Sequence, residues 1–511
     1  MSAVAATLPG IALPRPTLPE RVRPRGAATS PLALAVLFGL LFAVAALGMI
    51  RETGPFAGWQ PTSGALVGRV LLGADGKMTV GELIAAYPPL AVLPMIGLRA
   101  PAVLIGVTTG ELFSALLGGA LAGLWLASLL QAGYRRGTAL VLAALLVGNP
   151  LFLGALAAGP ETALALLGAW VFAMGAFTLR SRGSVNDLIT CSGALALLFF
   201  AGPLGGAFAC ATLPFLLLLK PADIPARSAP SIYLVLLFPV IFGLAGFVFV
   251  NWMMLHDAFG FLHSDIDLAT RRIGQSWRTP VIPVLFAVAC APALVALFVV
   301  ARGRRPLQAV ASALLGTLLL AVTLALQSGA CRSPVEALCP AVSLAAAAAM
   351  RWPPQRSRPL RVALLLALSL TGGLSALLTQ GRISPETGAT AAASEFTGLR
   401  RSIAEQALGR FLAGRSDVLI DAAAHPAVVA ARGGAEGLVT GNDTAFALAL
   451  LRKRIATRAV AVAAADPSRT EDALSRNLPD LYASGAPGLH LIYDRDGWRV
   501  WSRDNKEDPR P

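Results

Sequence analysis

Long apolar stretches, separated by short polar connections, dominate the chain between residues 31 and 379. Several of them run for about 18 residues or more, the length that a helix needs to cross a bilayer core of about 30 Å. The pattern therefore predicts a polytopic α-helical membrane protein with about eleven transmembrane helices. The predicted helices lie near residues 31–50, 106–131, 137–157, 161–179, 187–201, 204–220, 231–251, 279–300, 307–327, 336–350 and 361–379.

Short arginine clusters fall in alternate connections between the apolar stretches. They include Arg135-Arg136, Arg180/Arg182, Arg302/Arg304/Arg305 and Arg351/Arg356/Arg358/Arg361. The positive-inside rule assigns such clusters to the cytoplasm, which places the N-terminus inside and the C-terminus outside. Residues 1–30 are rich in Pro and Arg and lack the apolar core of a signal peptide, so we predict a disordered cytoplasmic tail.

Two regions depart from the long apolar pattern. Residues 51–105 contain two apolar pieces, 64–72 and 90–98, which are too short to span and suit helices on the membrane surface. Beyond the transmembrane domain, 31–383, residues 384–504 combine helical patterns with short β-like runs, which predict a small extracytoplasmic α/β domain. The predicted strands are Val418–Ile420, Val428–Ala431, Ala459–Ala463, Leu489–Tyr493 and Arg499–Trp501, and residues 505–511 are predicted to form a flexible tail.

Composition and charge narrow the function classes. With 56% hydrophobic and 14% charged residues, the chain is too apolar for a soluble enzyme of 511 residues. The net charge of +14 follows from the arginine clusters, and the absence of a basic and aromatic module argues against a nucleic-acid partner. The five cysteines form no CxxC motif. Cys331 and Cys339 fall on the predicted oxidising side, where a disulfide or two free thiols would both fit.

Acidic residues at the membrane edge are the first candidates for chemistry, because charge is costly there. Glu52 follows the first apolar stretch, and its carboxylate could take a proton from a hydroxyl or simply flank the membrane beside Arg51. Glu161 follows Pro160 at a predicted helix start, where an acid is also ordinary N-terminal helix chemistry. Glu111 lies near the start of the second stretch, and it could line a cavity or have a structural role.

The richest polar connection is the loop 251–278, which contains His256, Asp257, Arg271 and Arg272. The Asp and His side chains could ligate a divalent cation such as Mg²⁺ or Mn²⁺, and the arginines could bind a phosphate in bidentate fashion. The spacing fits no named metal motif, so no cofactor is certain. A hydrated loop with local ion pairs fits the sequence equally well.

Four short segments carry a resemblance to a known family by their order along the chain. They are Tyr87-Pro88-Pro89-Leu90, Gly133-Tyr134-Arg135-Arg136-Gly137, Asn149-Pro150-Leu151 and Asn251-Trp252…His256-Asp257-Ala258-Phe259. Together, over residues 31–380, they resemble the GT-C superfamily of integral-membrane glycosyltransferases, of the polyprenyl-phosphate-mannose and aminoarabinose transferase type. His256 and Ala258 depart from that family's pattern, which has Gly and Pro at these positions.

The resemblance implies transfer of a sugar from a polyprenyl-phosphate donor to a glycan, lipid or protein acceptor. The reaction would occur at the outer face of a bacterial cytoplasmic membrane. By position, the resemblance also implies that Glu52 deprotonates the acceptor and that Glu161 holds a metal or the acceptor. Asp257 is a second candidate metal ligand by its residue type. The substrate-binding residues expected on these grounds are Tyr87, His256 and Asp257 and, by location alone, Arg271 and Arg272.

Two alternatives to an enzyme remain open. The same scaffold could be a catalytically inactive accessory subunit of an envelope assembly that binds a protein partner through its C-terminal domain. A transporter is a third interpretation, but the near absence of charge from the centres of the predicted spans disfavours it.

Overall fold

Helices make up most of the computed structural model. It describes residues 30–53, 63–220, 229–259, 287–301, 304–328, 330–331, 334–352, 358–379, 404–464 and 472–503. Helices α1 to α5 are Pro31–Thr53, Ser63–Ala74, Val80–Ile84, Pro89–Gly97 and Arg99–Ile105. Helices α6 to α12 are Thr109–Gln131, Arg136–Val147, Pro150–Ala158, Pro160–Arg182, Val185–Ala201, Pro203–Thr212 and Ala229–Leu255, and a 3-10 helix, Leu213–Leu219, continues α11. Helices α13 to α17 are Pro292–Val300, Arg305–Ser328, Pro334–Leu338, Pro340–Met350 and Arg358–Thr379.

The long helices form one bundle around a shared apolar core, which α1 and α6 to α17 all enter. Small residues bring their backbones close together, as is usual for helices packed in a membrane. A Cβ added to Gly39 of α1 would lie only 2.6 Å from the carbonyl oxygen of Gly119 on α6. All of α16 is buried, which fits its run of alanines, since small side chains let other helices surround it.

The number of membrane spans differs from the sequence prediction. Within the part of the chain that the structure describes, five helices are long and apolar enough to cross a bilayer: α1, α6, α9, α12 and α14. A sixth span results if α7 and α8, which meet at a bend of 53°, count as one. The expected count of about eleven is therefore not supported, because the apolar stretches of the other described helices have at most 17 residues, such as Val362–Leu377 within α17, and the predicted span 279–300 lies partly outside the described residues. Such stretches are shorter than the roughly 20 residues that cross a bilayer core. The coarser prediction, a helical membrane protein with a small C-terminal sheet, is confirmed.

One end of the bundle, here named the arginine end, collects most of the described arginine clusters. The hydroxyl of Tyr134, after α6, donates to the carbonyl of Ala349 in α16 at 2.7 Å. Near the end of α9, the Arg180 guanidinium donates to the carbonyl of Lys220. The helix ends that meet here carry Arg135, Arg136, Arg180, Arg182, Arg304, Arg305 and Arg351.

The opposite end, here named the cap end, is covered by α2 to α4. Side chains of α2 and α4, among them Leu66 and Val92, share a buried cluster with Leu164 of α9 and Ala201 of α10. The short helices of residues 63–97 thus pack on the ends of the long helices.

The C-terminal domain contains a five-stranded sheet in the order β2-β1-β3-β5-β4. Its strands are β1 Val418–Leu419, β2 Leu438–Val439, β3 Ala459–Ala463, β4 His490–Arg495 and β5 Trp498–Ser502, and its helices are α18 Pro426–Arg432, α19 Thr444–Arg452, α20 Ala473–Asn477 and α21 Leu481–Ser484. Strands β2, β1 and β3 are parallel, whereas β3, β5 and β4 are antiparallel. The prediction of a strand at Val428–Ala431 is wrong. Pro426 at the first position and Gly433 in a left-handed C-cap delimit a helix there.

The sheet domain docks on the cap through α2. Helix α18 lies directly on α2, where a Cβ on Gly68 would overlap the carbonyl oxygen of Pro426 at 1.7 Å. Lys77 donates to both carboxylate oxygens of Asp443 at 2.9 Å. The carboxylate of Asp75 pairs with Arg99 and accepts the backbone N–H of Ala435 at 2.7 Å. These contacts hold the domain over the cap end.

Candidate functional site

Glu161 stands at the cap end, beside the break between α10 and α11. It occupies the first turn of α9, directly after Pro160, and its side chain is half-buried. Its Oε2 is 3.6 Å from the position that a Cβ on Gly202 would occupy. Gly202 has φ +148, a backbone conformation that L side chains rarely adopt. Glycine at this break thus lets the chain turn tightly against the carboxylate.

A second carboxylate, Glu336, contacts Thr162, the residue that follows Glu161 in α9. Glu336 is only 6% exposed, and its Oε1 accepts the hydroxyl of Thr162 at 3.1 Å. Further along, the Ser343 hydroxyl of α16 donates to the Leu166 carbonyl of α9 at 2.8 Å. The segment that contains α15 and α16 thus runs parallel to the first part of α9. These contacts hold Glu336 against the first turn of α9, at Thr162, which follows Glu161 in the sequence.

Tyr87 joins the cap to the helices of the bundle. Its hydroxyl donates to the carbonyl of Phe199 in α10 at 2.8 Å, and its ring lies 6.3 Å from that of Phe247 in α12. The hydroxyl is also 3.9 Å from the position of a Cβ on Gly206, one turn after Gly202. Tyr87 and Glu161 thus flank the same glycine-containing turn. Of the residues predicted for the site, these two are brought together.

Glu52 and Glu111 have different outcomes. Glu52 lies in the last turn of α1, and its side chain is outside the described residues. Glu111 has a structural role, because it forms a capping box with Thr108 at the start of α6. Its Oε2 accepts the Thr108 N–H at 2.8 Å, which satisfies an amide that the helix leaves unpaired.

His256 and Asp257 lie where α12 ends, near α3. His256 is exposed and adopts a left-handed conformation with φ 55. The Oδ1 of Asp257 accepts the N–H of Phe259 at 3.0 Å, which forms a local turn. Arg271 and Arg272 lie outside the described residues. Within the described segments, no three His, Cys, Asp or Glu side chains form a group that could hold a metal ion, so Glu161 and Asp257 make no such site there.

The two cysteines considered for a disulfide are not joined by one. Cys331 and Cys339 are both buried. The Sγ of Cys339 lies 3.7 Å from the carbonyl oxygen of Val335, one turn earlier, so the thiol bonds within its own helical segment. The disulfide that the sequence allowed is therefore not formed in this structure.

The sheet domain contains a buried polar cluster formed by His425, Glu405 and Asp472. His425 is 1% exposed, and its Nδ1 lies 3.1 Å from Glu405 while its Nε2 lies 3.8 Å from Asp472. Burial raises the pKa of the Asp472 carboxyl, but the neighbouring His425 and the hydrogen bond from Ser475 outweigh it, and the net pKa falls below the usual value. The cluster is closed to solvent and ties α18 to α20, which indicates a structural role.

Sequence reasoning missed Glu336 and Arg69. Glu336 occupies the first turn of a helix that begins with Pro334, the same signature as Pro160-Glu161, and this was the available signal. Arg69 of α2 donates from Nη1 to the Tyr87 carbonyl at 3.2 Å, which brings a guanidinium to the same rim. Its position gave no signal, because α2 reaches Tyr87 only through tertiary packing.

No family of known proteins matches the chain, and no curated protein matches it significantly.

Proposed function

We propose that the chain is a membrane transferase that moves a sugar from a polyprenyl-phosphate donor to an acceptor at the cap end. The observation that supports this function best is that the first turn of α9 carries Glu161 and, through Thr162, contacts Glu336, beside the glycine turn that Tyr87 also approaches. Such a transfer needs a carboxylate that can take a proton in a site sheltered from bulk water.

In the proposed reaction, the acceptor oxygen forms a bond to the anomeric carbon of the sugar. The bond between that carbon and the lipid phosphate oxygen breaks, and the phosphate leaves with its electron pair. The acceptor's proton passes to Glu161, which is half-buried and lies at the rim. Glu336, held by Thr162, positions the start of α9. The Arg69 guanidinium beside Tyr87 would face the charge on the departing phosphate.

The donor's lipid tail also has a place in this proposal. An apolar groove of about 440 Å³ lies between α10 and α12, lined by residues that include Ile189, Leu234 and Phe238. The same two helices hold Tyr87 further along, through Phe199 and Phe247. A polyprenyl chain lying between α10 and α12 would therefore lead its phosphate towards the first turn of α9.

The experiment compares Glu161→Gln with Glu111→Gln in bacterial membranes that contain the full chain. The probe is a polyprenyl-phosphate hexose with a radiolabelled sugar, and the readout is label in a product free of polyprenyl phosphate. We expect Glu161→Gln to lower transfer by about 100-fold or more, as for loss of a general base. Glu111→Gln, which alters only a helix cap, should keep activity within about twofold while costing about 1 kcal/mol of stability.

Two results would count against this proposal. If membranes with the wild-type chain transfer no more labelled sugar than membranes without it, the proposed enzymatic function is wrong. Full transfer by Glu161→Gln would remove Glu161 as the base, and Glu52→Gln would then test the acid at the end of α1.

A second function, an accessory subunit that binds a protein partner, has one observation in its favour. Leu448 and Leu451 on α19 of the sheet domain are 39% and 80% exposed, and their spacing puts them on one helix face. A stoichiometric partner that co-purifies with the wild type but not with the Leu448→Ser/Leu451→Ser variant would favour this function, especially if no transfer is detected.

A further inference from the structure

The arginine end contains an open pocket whose lining is chemically uneven. The pocket has a volume of about 720 Å³. It is lined by Ser181, Arg304, Arg305, Pro306, Leu307, Met350, Arg351 and Trp352. Three arginines thus share the lining with apolar side chains, and no acidic residue of the described segments takes part in it.

The arginines of this pocket are not neutralised by the described protein. Among the described residues, Arg304, Arg305 and Arg351 make no ion pair with a carboxylate within 4.0 Å. The nearby acid Asp187 forms no ion pair with these arginines, since its carboxylate accepts the N–H and the hydroxyl of Ser184 at a helix cap, and its single negative charge acts on Arg351 only from a distance. Like charges around one pocket repel each other, so the cluster favours a bound anion.

Arg351 provides the second observation. Its Nε is fully buried and has no hydrogen-bond partner among the described atoms. Burial lowers the pKa of the Arg351 guanidinium, and the neighbouring charge of Arg182 lowers it further. Because the pocket is open to water, the buried Nε cannot be reached from it, whereas the two Nη groups of Arg351 donate to no described acceptor and would donate to a bound anion.

The apolar side of the pocket favours a ligand that also has an apolar part. Trp352 is 6% exposed, and its indole N–H already donates to the Leu360 carbonyl at 3.1 Å, so the residue presents mainly its ring. With Met350 and Leu307, it forms an apolar surface beside the three guanidiniums. A ligand with a phosphate and an attached apolar part complements both halves. Basic pockets between membrane helices on the cytoplasmic side are typical sites for anionic lipid headgroups.

We propose that the arginine-end pocket, formed by Arg304, Arg305 and Arg351 over Trp352, is a binding site for a phosphate-bearing anion, either a lipid headgroup or a soluble phosphate compound. The site lies at the opposite end of the bundle from Glu161 and does not depend on the proposed transferase activity.

The test compares two double variants with equal loss of charge. Arg304→Gln/Arg351→Gln removes two lining arginines, whereas Arg135→Gln/Arg136→Gln removes two arginines from the same end outside the pocket. The full chain is placed in nanodiscs of phosphatidylcholine that contain a small share of phosphatidylglycerol, and native mass spectrometry counts the phosphatidylglycerol molecules retained. In a second arm, inorganic pyrophosphate is titrated onto the chain in pure phosphatidylcholine nanodiscs.

We expect the pocket variant to retain phosphatidylglycerol about tenfold less strongly than the wild type, and the control variant to change by less than about twofold. Loss in the lipid arm alone identifies a headgroup as the ligand, whereas loss in the pyrophosphate arm alone identifies a soluble phosphate compound. Equal losses in the two variants would show general surface electrostatics and overturn the proposal, as would no loss in either arm. The charge-retaining Arg304→Lys/Arg351→Lys variant keeps the test decisive if the Gln variant unfolds, since it should lose only part of the binding.

Discussion

The close approach of α2 and α18 provides a sharp test of how the sheet domain is held. At Gly68, a Cβ would stand 1.7 Å from the carbonyl oxygen of Pro426, whereas ordinary contact begins at 3.4 Å. The Gly68→Ala change therefore forces the two backbones apart by more than 1 Å, roughly the size of shift that overpacking imposes. The matched control is Gly64→Ala, one turn earlier on the same helix. Its added Cβ would meet Ala427 at 3.7 Å, which is ordinary contact.

The expected cost follows from the contacts that the shift disturbs. Overpacking costs about 1–3 kcal/mol. The hydrogen bond from the Ala435 N–H to the Asp75 carboxylate is charge-assisted, and its loss adds about 1.5–3 kcal/mol. We therefore expect Gly68→Ala to weaken docking by about 2.5–6 kcal/mol. Gly64→Ala should be neutral or stabilise α2 by about 0.5–1 kcal/mol, because alanine favours the helix.

The assay is hydrogen exchange of the full chain in detergent, read separately for two sets of amides. In Gly68→Ala, the amides of α2 and α18 should exchange faster, while those of β3 inside the sheet keep their protection. Equal exchange in the Gly68→Ala and Gly64→Ala variants would refute the docking contact. Loss of protection in β3 as well would show that the domain unfolds rather than undocks.

Two further predictions concern contacts of the same kind. Gly39→Ala should separate α1 from α6 and lower the melting temperature in detergent, because its Cβ would meet the Gly119 carbonyl oxygen at 2.6 Å. The control Gly48→Ala, on the same helix with nothing within 4 Å, should leave the melting temperature unchanged. Equal melting temperatures of the two variants would contradict this packing. In a double-mutant cycle of Lys77→Met and Asp443→Asn, thermal unfolding should give a coupling of about 1 kcal/mol, and a coupling near zero would remove the pair as a docking contact. Partial burial raises the pKa of the Asp443 carboxyl, but hydrogen bonds from Thr440 and Lys77 outweigh this effect, and the net pKa is lowered. The stabilisation by the Lys77–Asp443 pair should therefore be complete above about pH 4 and disappear as the pH falls through the lowered pKa of Asp443.

The candidate site shows which functional residues the sequence alone could predict. Glu161 and Tyr87 were both predicted, and both flank the glycine turn after α10. Glu336 was missed, because its contact with Thr162 joins residues 174 positions apart. Local patterns indicate that an acid starts a helix, but they carry no information about which other helix start lies beside it.

The sequence by itself determined the membrane character of the chain and the order of most helices, because long apolar stretches have few structures open to them in lipid. It also determined strands such as β3, where a run of alternating Ala and Val lies between polar turns. Only the tertiary structure decided the lengths of the individual helices and the docking of α18 on Gly68. It also decided the meeting of three arginines in one pocket. These features depend on how distant surfaces fit together, and side-chain packing between remote segments leaves no periodic trace in the sequence.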